Sequence, residues 1–251
     1  MADLVVYIIF HKGLYEDNTA GFSKEELEVF RWVAVNEKVE KDIPSWLPKH
    51  LLLHEYKMPI HDPFQQMNNF YQNSVFFHLY KNPQLITSSY VGFAQYDMKF
   101  NKESMLLTKA FIRENPQDKI CGFAFPVGIE HLFNGIVEDD FWSNVFLKEY
   151  NLFYSTQHKF KELEDVPLFL LHTFIIPKEF FLRMMPFIES FLPSLMRALI
   201  WDTRHLAGTL ERIFALCISC GLVEGYFTRA LQFDVNNLDD QRFTDTLRGI
   251  E

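Results

Sequence analysis

Tyr90–Phe100 reads YVGFAQYDMKF, an apolar strand pattern whose end carries Gln95, Tyr96 and Asp97. In open α/β sheets, ligands bind outside the carboxyl ends of the strands. A carboxylate there can hold Mg²⁺ or Mn²⁺, hard cations that prefer oxygen ligands, and the ion can then neutralise a diphosphate. A turn Asp that merely ends the strand satisfies the same pattern. His11 and Lys12 follow the first apolar run and are placed to meet a nucleotide base, ribose or phosphate, although a His-Lys-Gly turn is ordinary at a strand end. Asn68, Asn69, Tyr71, Gln72 and Asn73 crowd one stretch, where adjacent asparagines are poor helix formers. They read as a polar patch facing a site or as a solvated face. Glu138, Asp139 and Asp140 precede Phe141-Trp142; a carboxylate beside a sugar-sized pocket can take the proton of an acceptor hydroxyl. Acids are equally favoured at a helix start by the macrodipole. Within Trp201–His205, Arg204 can clamp a phosphate and His205 can ligate a metal, or Asp202 and Thr203 simply cap the helix carrying Glu211 and Arg212.

Some apparent signals fall away. Cys217 and Cys220 have CxxC spacing, but they lie within an apolar helical stripe with no second pair, which makes them core thiols. His50, His54 and His61 sit on a loop and strand, a poor frame for closed zinc. The chain has no phosphate-binding P-loop, GxGxxG, GxSxG or HExxH pattern.

Positioning these residues requires alternating strands and helices. Val5–Phe10, Leu51–Tyr56, Tyr90–Phe100, Ile120–Pro126 and Leu168–Ile176 read as strands. Ser23 with Glu26 forms a capping box opening a helix through about Val35. Phe64–Lys81, Ser104–Glu114 and His205–Cys220 carry helical apolar periodicity, and Glu130–Tyr150 is helix-rich. Lys178–Ile200 is amphipathic, and Pro186 and Pro193 are expected to kink or divide it. With no repeat or linker, the simplest architecture is one α/β domain, a Rossmann-like mixed sheet flanked by helices.

Composition narrows the function. The 251 residues can bury a sizeable core; 48% are apolar and 23% charged. Lys plus Arg number 24 against 33 Asp plus Glu, a net charge of −9 that repels a phosphate backbone and argues against nucleic acid as partner. A phosphate-bearing ligand therefore needs a local basic pocket or a divalent cation. The 3 cysteines make no disulfide framework, which fits a reducing compartment. The opening MADLVVYIIFHKG lacks a basic leader and its apolar run is too short to span a bilayer, so a soluble, cytoplasmic protein without a membrane span is expected.

Taken in order, the segments resemble a family of nucleotide-sugar-dependent glycosyltransferases of bacterial capsule and O-antigen synthesis. That family shows a first strand ending in His-Lys, a helix ending in Trp-Lys-Asn before Ile-Gly-Leu-x-His-Tyr-Arg-Arg-Tyr-Phe, a block like Asn-Met-Phe-Ile, and a last helix with Glu-Arg. The corresponding stretches are IIFHKG (Ile8–Gly13), HLYKN (His78–Asn82) with YVGFAQYDMKF, LLHTFIIPKEFF (Leu170–Phe181) and RHLAGTLERIF (Arg204–Phe214). The family's His-Tyr-Arg-Arg is here Gln95-Tyr96-Asp97-Met98, which loses basic residues and moves the strand end toward the acidic metal-binding motif of the wider glycosyltransferase-A fold.

The resemblance implies a single glycosyltransferase-A-like domain over residues 1–251. Its nucleotide-sugar half would be about 1–100, its acceptor half about 101–235, and 236–251 a peripheral tail. It also implies a UDP-sugar donor and a glycan acceptor. Asp97 and His205 would hold Mn²⁺ or Mg²⁺; His11, Lys12, Asn69, Tyr96 and Arg204 would bind the donor; Asp139 or Asp140 would act as base. The alternatives are a non-catalytic nucleotide- or glycan-binding module of the same fold, and a metal-dependent phosphodiester hydrolase using Asp97, Glu138 and Asp139.

Overall fold

The computed structural model describes residues 2–67, 70–133, 136–199 and 202–238. The strands are β1 Ala2–Phe10, β2 Phe30–Ala34, β3 Leu52–His54, β4 Ser88–Gln95, β5 Met98–Phe100, β6 Ile120–Phe123, β7 Pro126–Val127, β8 Leu168–Phe169, β9 Phe174–Pro177, β10 Arg229–Gln232 and β11 Val235–Asn237. The α-helices are α1 Pro63–Met67, α2 Asn73–Lys81, α3 Lys102–Glu114, α4 Leu147–Tyr154, α5 Phe160–Leu163, α6 Lys178–Ala198 and α7 Leu206–Val223. A 7-stranded sheet runs β10-β6-β9-β4-β1-β2-β3. β3, β2, β1 and β4 are mutually parallel, and β10 is parallel to β6. β9 runs antiparallel between β4 and β6. The fold is therefore the mixed α/β sheet with flanking helices that the strand and helix pattern indicated.

Strand alternation fixes which side chains meet which helices. Val5, Tyr7 and Ile9 enter one core with α2, α6 and α7; Leu4, Val6, Ile8 and Phe10 enter the other, which holds Met105 and Ile112 of α3. β1 and β4 are buried on both faces, as continuous apolar runs require. Gly92 lets them pack closely, because a Cβ there would lie 2.8 Å from Val6 Cγ2 and 3.0 Å from Ile175 Cγ1. At the end of β3, Glu55 and His78 are fully buried and joined at 2.5 Å. His78 Nε2 accepts from the Asp62 N–H at 2.8 Å, which leaves Nδ1 to donate to Glu55 and ties α2 to β3. His61 stacks on His78 at 4.7 Å.

Local signals lose to tertiary pairing at several points. The Ser23–Glu26 box forms, with Ser23 N–H on Glu26 Oε2 at 2.6 Å and Glu26 N–H on Ser23 Oγ at 3.3 Å. It caps only a 3₁₀ turn, Glu26–Val29, and the chain expected to continue as helix is strand β2. The reason is the FRWVA run, whose branched and aromatic side chains suit pairing against β1 better than an isolated helix. The helix expected over 64–81 is split into α1 and α2, with Tyr71 at φ 48° before α2. The strand expected over 168–176 breaks into β8 and β9 at a left-handed corner, Leu171 (φ 59°) and His172 (φ 47°). Conversely, α6 is continuous through Pro186 and Pro193. Burial of Phe180, Phe181, Met184, Met185, Phe187, Ile188, Phe191 and Leu195 along its face outweighs the lost hydrogen bonds.

Thr203–Val223 is long and apolar enough to cross a membrane, but most of it is buried against the core. The chain from Asn236, expected as a tail, begins inside β11, which pairs antiparallel with β5. Positions 239–251 lie outside the described residues.

Candidate functional site

The parallel register brings distant sequence blocks to one sheet edge. Ile9 of β1 is opposite Gln95 of β4, so the residues just beyond each strand emerge side by side. The His11 ring stands edge-on to the Tyr96 ring at 5.1 Å, Lys12 Nζ lies 4.5 Å from the Tyr96 ring centre, and Tyr15 stacks on Tyr96 at 6.2 Å. Tyr71 adds its ring 5.9 Å from His11. Burial lowers the His11 pKa, and the neighbouring Lys12 charge lowers it further, so the imidazole is neutral near pH 7. His11 Nδ1 is buried with no hydrogen-bond partner among the described residues, which marks a polar position a ligand can satisfy.

Asp97 closes the β4 extension and is buried. Its turn is braced from both sides: the Leu238 N–H donates to the Asp97 carbonyl at 2.8 Å. Fully buried Asn18 donates through Nδ2 to the Tyr96 and Met98 carbonyls at 2.7 and 2.5 Å. The loop after β1 thus holds the turn that presents Asp97.

The edge continues across β9. Phe93, Phe174 and Phe123 are in register, which places the Leu171–Thr173 corner beyond the carboxyl ends of β4 and β6. Thr173 Oγ1 donates to the Leu171 carbonyl at 2.8 Å. The Leu171 N–H donates to Glu211 Oε1 at 2.7 Å, fixing a carboxylate from the second turn of α7. Burial raises the Glu211 pKa; the Leu171 N–H and Arg212 pull it down, and the charge of nearby Asp97 pushes it up again. Sequence reasoning noted Glu211 only as one half of a Glu-Arg pair. The Glu-Arg block singled it out without giving it a role; the corner at 171–172 supplies one. Beside it, His172 is buried between Phe76 and Phe214, with neither ring nitrogen hydrogen-bonded among the described residues, and burial lowers its pKa to about 3.

The other expected site residues are placed as follows. Asn69 lies outside the described residues. Its neighbour Asn73, which opens α2, is fully buried and reaches the Ala207 carbonyl of α7 at 3.3 Å, so it braces helices. Arg204 is exposed and forked onto Asp202, with Nε–Oδ1 at 2.8 Å and Nη2–Oδ2 at 2.7 Å. His205 Nε2 is 3.5 Å from the same Asp202 carboxylate. Asp139 and Asp140 are exposed, and Asp140 binds only locally, to Ser143 and Asn144. Cys217 and Cys220 are buried free thiols whose pKa values are raised by burial, as core residues should be.

Among the described residues no group of three or more His, Cys, Asp or Glu could hold a metal ion. The edge instead offers the buried Asp97 carboxylate. A single carboxylate fits an ion that completes its shell from ligand phosphates and water, not an all-protein cage.

No protein-family model and no curated protein matches the chain. Solved structures do. The bifunctional glycosyltransferase WbbM superimposes over 95% of this chain with a TM-score of 0.60 at 13% identity. This chain spans 46% of that one, a little under half its length. Mouse xyloside xylosyltransferase 1 covers 92% of this chain and 85% of its own at 17% identity, with a TM-score of 0.43. The S. cerevisiae mannosyltransferase Ktr4p covers 87% of this chain and 66% of its own at 15% identity, with a TM-score of 0.35. The chain has a glycosyltransferase-A-like fold.

Proposed function

We propose that this protein transfers a monosaccharide from a nucleotide-sugar, UDP being the favoured carrier, to a glycan hydroxyl. One observation carries the reading: His11, Lys12, Tyr96 and Asp97 meet at the carboxyl edge of β1 and β4, within a glycosyltransferase-A-like fold. Those residue types divide the work of binding a nucleoside diphosphate. The aromatic surface of Tyr96, Tyr15 and Tyr71 suits a base or ribose face, and the vacant His11 Nδ1 suits a polar group on either. The Lys12 ammonium supplies positive charge in a chain of net −9.

Asp97 is the residue that would hold Mn²⁺ or Mg²⁺ on the diphosphate. Such an ion, when bound, neutralises charge on the departing nucleoside diphosphate. The chain's own contribution is positional. Asn18 and Leu238 fix the turn that aims Asp97, and the neutral His11 avoids competing with the cation. Arg204, once released from Asp202, would be a second cationic group for phosphate, with His205 beside it.

The test is thermal stabilisation across a panel of nucleotide-sugars with Mn²⁺. Near 100 times Kd, linkage stabilises the native state by about 2.7 kcal/mol. For a chain this long that is a rise of roughly 5–10 °C in Tm. Asp97→Ala is expected to abolish the rise. Absence of any shift across the panel, with folded wild-type protein, removes the reading.

A further inference from the structure

We infer that Glu211 is the general base that activates the attacking hydroxyl, an inference that rests on the transferase reading above. The geometry sets its two carboxylate oxygens apart. One oxygen, Oε1, is pinned at 2.7 Å by the Leu171 N–H, while Oε2 accepts no hydrogen bond from the described residues. A base needs this division, with one oxygen held for aim and the other open for the proton. The anchor is itself a special construction. Leu171 and His172 both take left-handed backbone (φ 59° and 47°), an uncommon conformation for such side chains, and the corner turns an N–H toward α7. Thr173 Oγ1 locks the corner by donating to the Leu171 carbonyl at 2.8 Å.

The support behind Glu211 is rigid. It sits in α7, whose following turns are buried, and α7 is joined to α2 through Asn73 and the Ala207 carbonyl. The adjacent Arg212 is occupied with the His131 and Gly208 carbonyls at 3.2 and 2.8 Å, so it does not neutralise Glu211 by pairing with it. Burial raises the Glu211 pKa from the ordinary carboxylate value, which brings a base closer to working pH. The remaining candidates are placed differently. Asp97 is buried in the turn after β4, where the proposed function gives it to the cation, and Asp139 and Asp140 are exposed on a separate turn.

In the step itself, Glu211 Oε2 takes the acceptor hydroxyl proton as that oxygen bonds to the anomeric carbon. The bond from the anomeric carbon to phosphate oxygen breaks, and its electron pair leaves on the nucleoside diphosphate. The product is inverted at the anomeric carbon, and the protonated Glu211 returns its proton to solvent.

Glu211→Gln keeps an acceptor for the Leu171 N–H and removes only the basicity. With the donor identified by the thermal panel, donor binding by calorimetry and single-turnover UDP release, to acceptor or to water, are measured from pH 5 to 8. The expected result is binding within about twofold of wild type, release slowed roughly 10²–10⁴-fold, and loss of the acidic limb of the rate profile. Formate added to Glu211→Ala should restore part of the rate, which no purely structural role predicts. The inference is overturned if Glu211→Gln releases UDP within threefold of wild type, or if it loses donor binding as Asp97→Ala does, which would make it a ligand. It is also overturned if Asp139→Asn or Asp140→Asn alone carries the rate loss, or if the product retains its anomeric configuration. Failure of the wild type to bind any donor is a different outcome and sinks the transferase reading itself.

Discussion

The turn presenting Asp97 depends on one buried amide, and Asn18→Ala tests that dependence. Asn18 is fully buried and donates to two main-chain carbonyls, Tyr96 and Met98, across about eighty residues of sequence. Truncation leaves both acceptors without this donor in a site closed to bulk water. Each buried group left unsatisfied costs about 1–3 kcal/mol. Some relaxation is available because the loop after β1 is near the surface, so the total should be about 2–4 kcal/mol. In a protein of this length each kcal/mol moves Tm by roughly 2–4 °C, which gives a fall of roughly 4–16 °C. Urea unfolding followed by tryptophan fluorescence measures the free energy, and a thermal scan measures Tm. Because the amide braces the Asp97 turn, the Mn²⁺-plus-donor stabilisation should also shrink in Asn18→Ala while the fold persists. A stability loss below about 1 kcal/mol would falsify the claim that these bonds hold the turn.

Two further substitutions probe the core behind the site. His172 is held neutral by burial, with a folded-state value of about 3 against an ordinary value of 6.5. Its contribution to stability is therefore complete above pH 6.5 and declines as pH falls toward 3, because the unfolded chain takes up the proton first. Between pH 7 and 5 this one group should cost about 2 kcal/mol, and His172→Leu should lose correspondingly less stability over that interval in parallel urea titrations; equal losses would show that the ring is not the titrating group. Gly92→Ala forces a Cβ against Val6 and Ile175 at 2.8 and 3.0 Å, inside the central strand pair. Overpacking of this kind costs about 1–3 kcal/mol, to be read by the same denaturation, and an unchanged midpoint would mean that the two side chains can rotate away.

How much of this was legible beforehand follows from the range of each force. β1 and β4 were plain because a strand buried on both faces must be written as a continuous apolar run, and VVYIIF and YVGFA are such runs. β2 is hidden in the sequence because a true capping box, Ser23 with Glu26, precedes it; the box fixes four residues, and the pairing with β1 decides the next five. The continuity of α6 through its prolines was hidden for the same reason, since the burial that sustains it comes from other elements.

For the site, the sequence by itself determined the chemistry on offer. It placed His11-Lys12 and Tyr96-Asp97 at strand ends, and it excluded phosphate-loop and nucleophile-elbow chemistry, since those depend on residue type and short spacing. Only the tertiary structure decided the company they keep. Parallel pairing carries His11 to Tyr96 across more than eighty residues, and the reversed strand β9 brings the Leu171 corner to the same edge. That corner, in turn, fixes the carboxylate of Glu211, to which the Glu-Arg block alone assigned no role. A side chain's type is a local property, whereas its orientation, burial and neighbours come from backbone register between segments that no window of sequence contains.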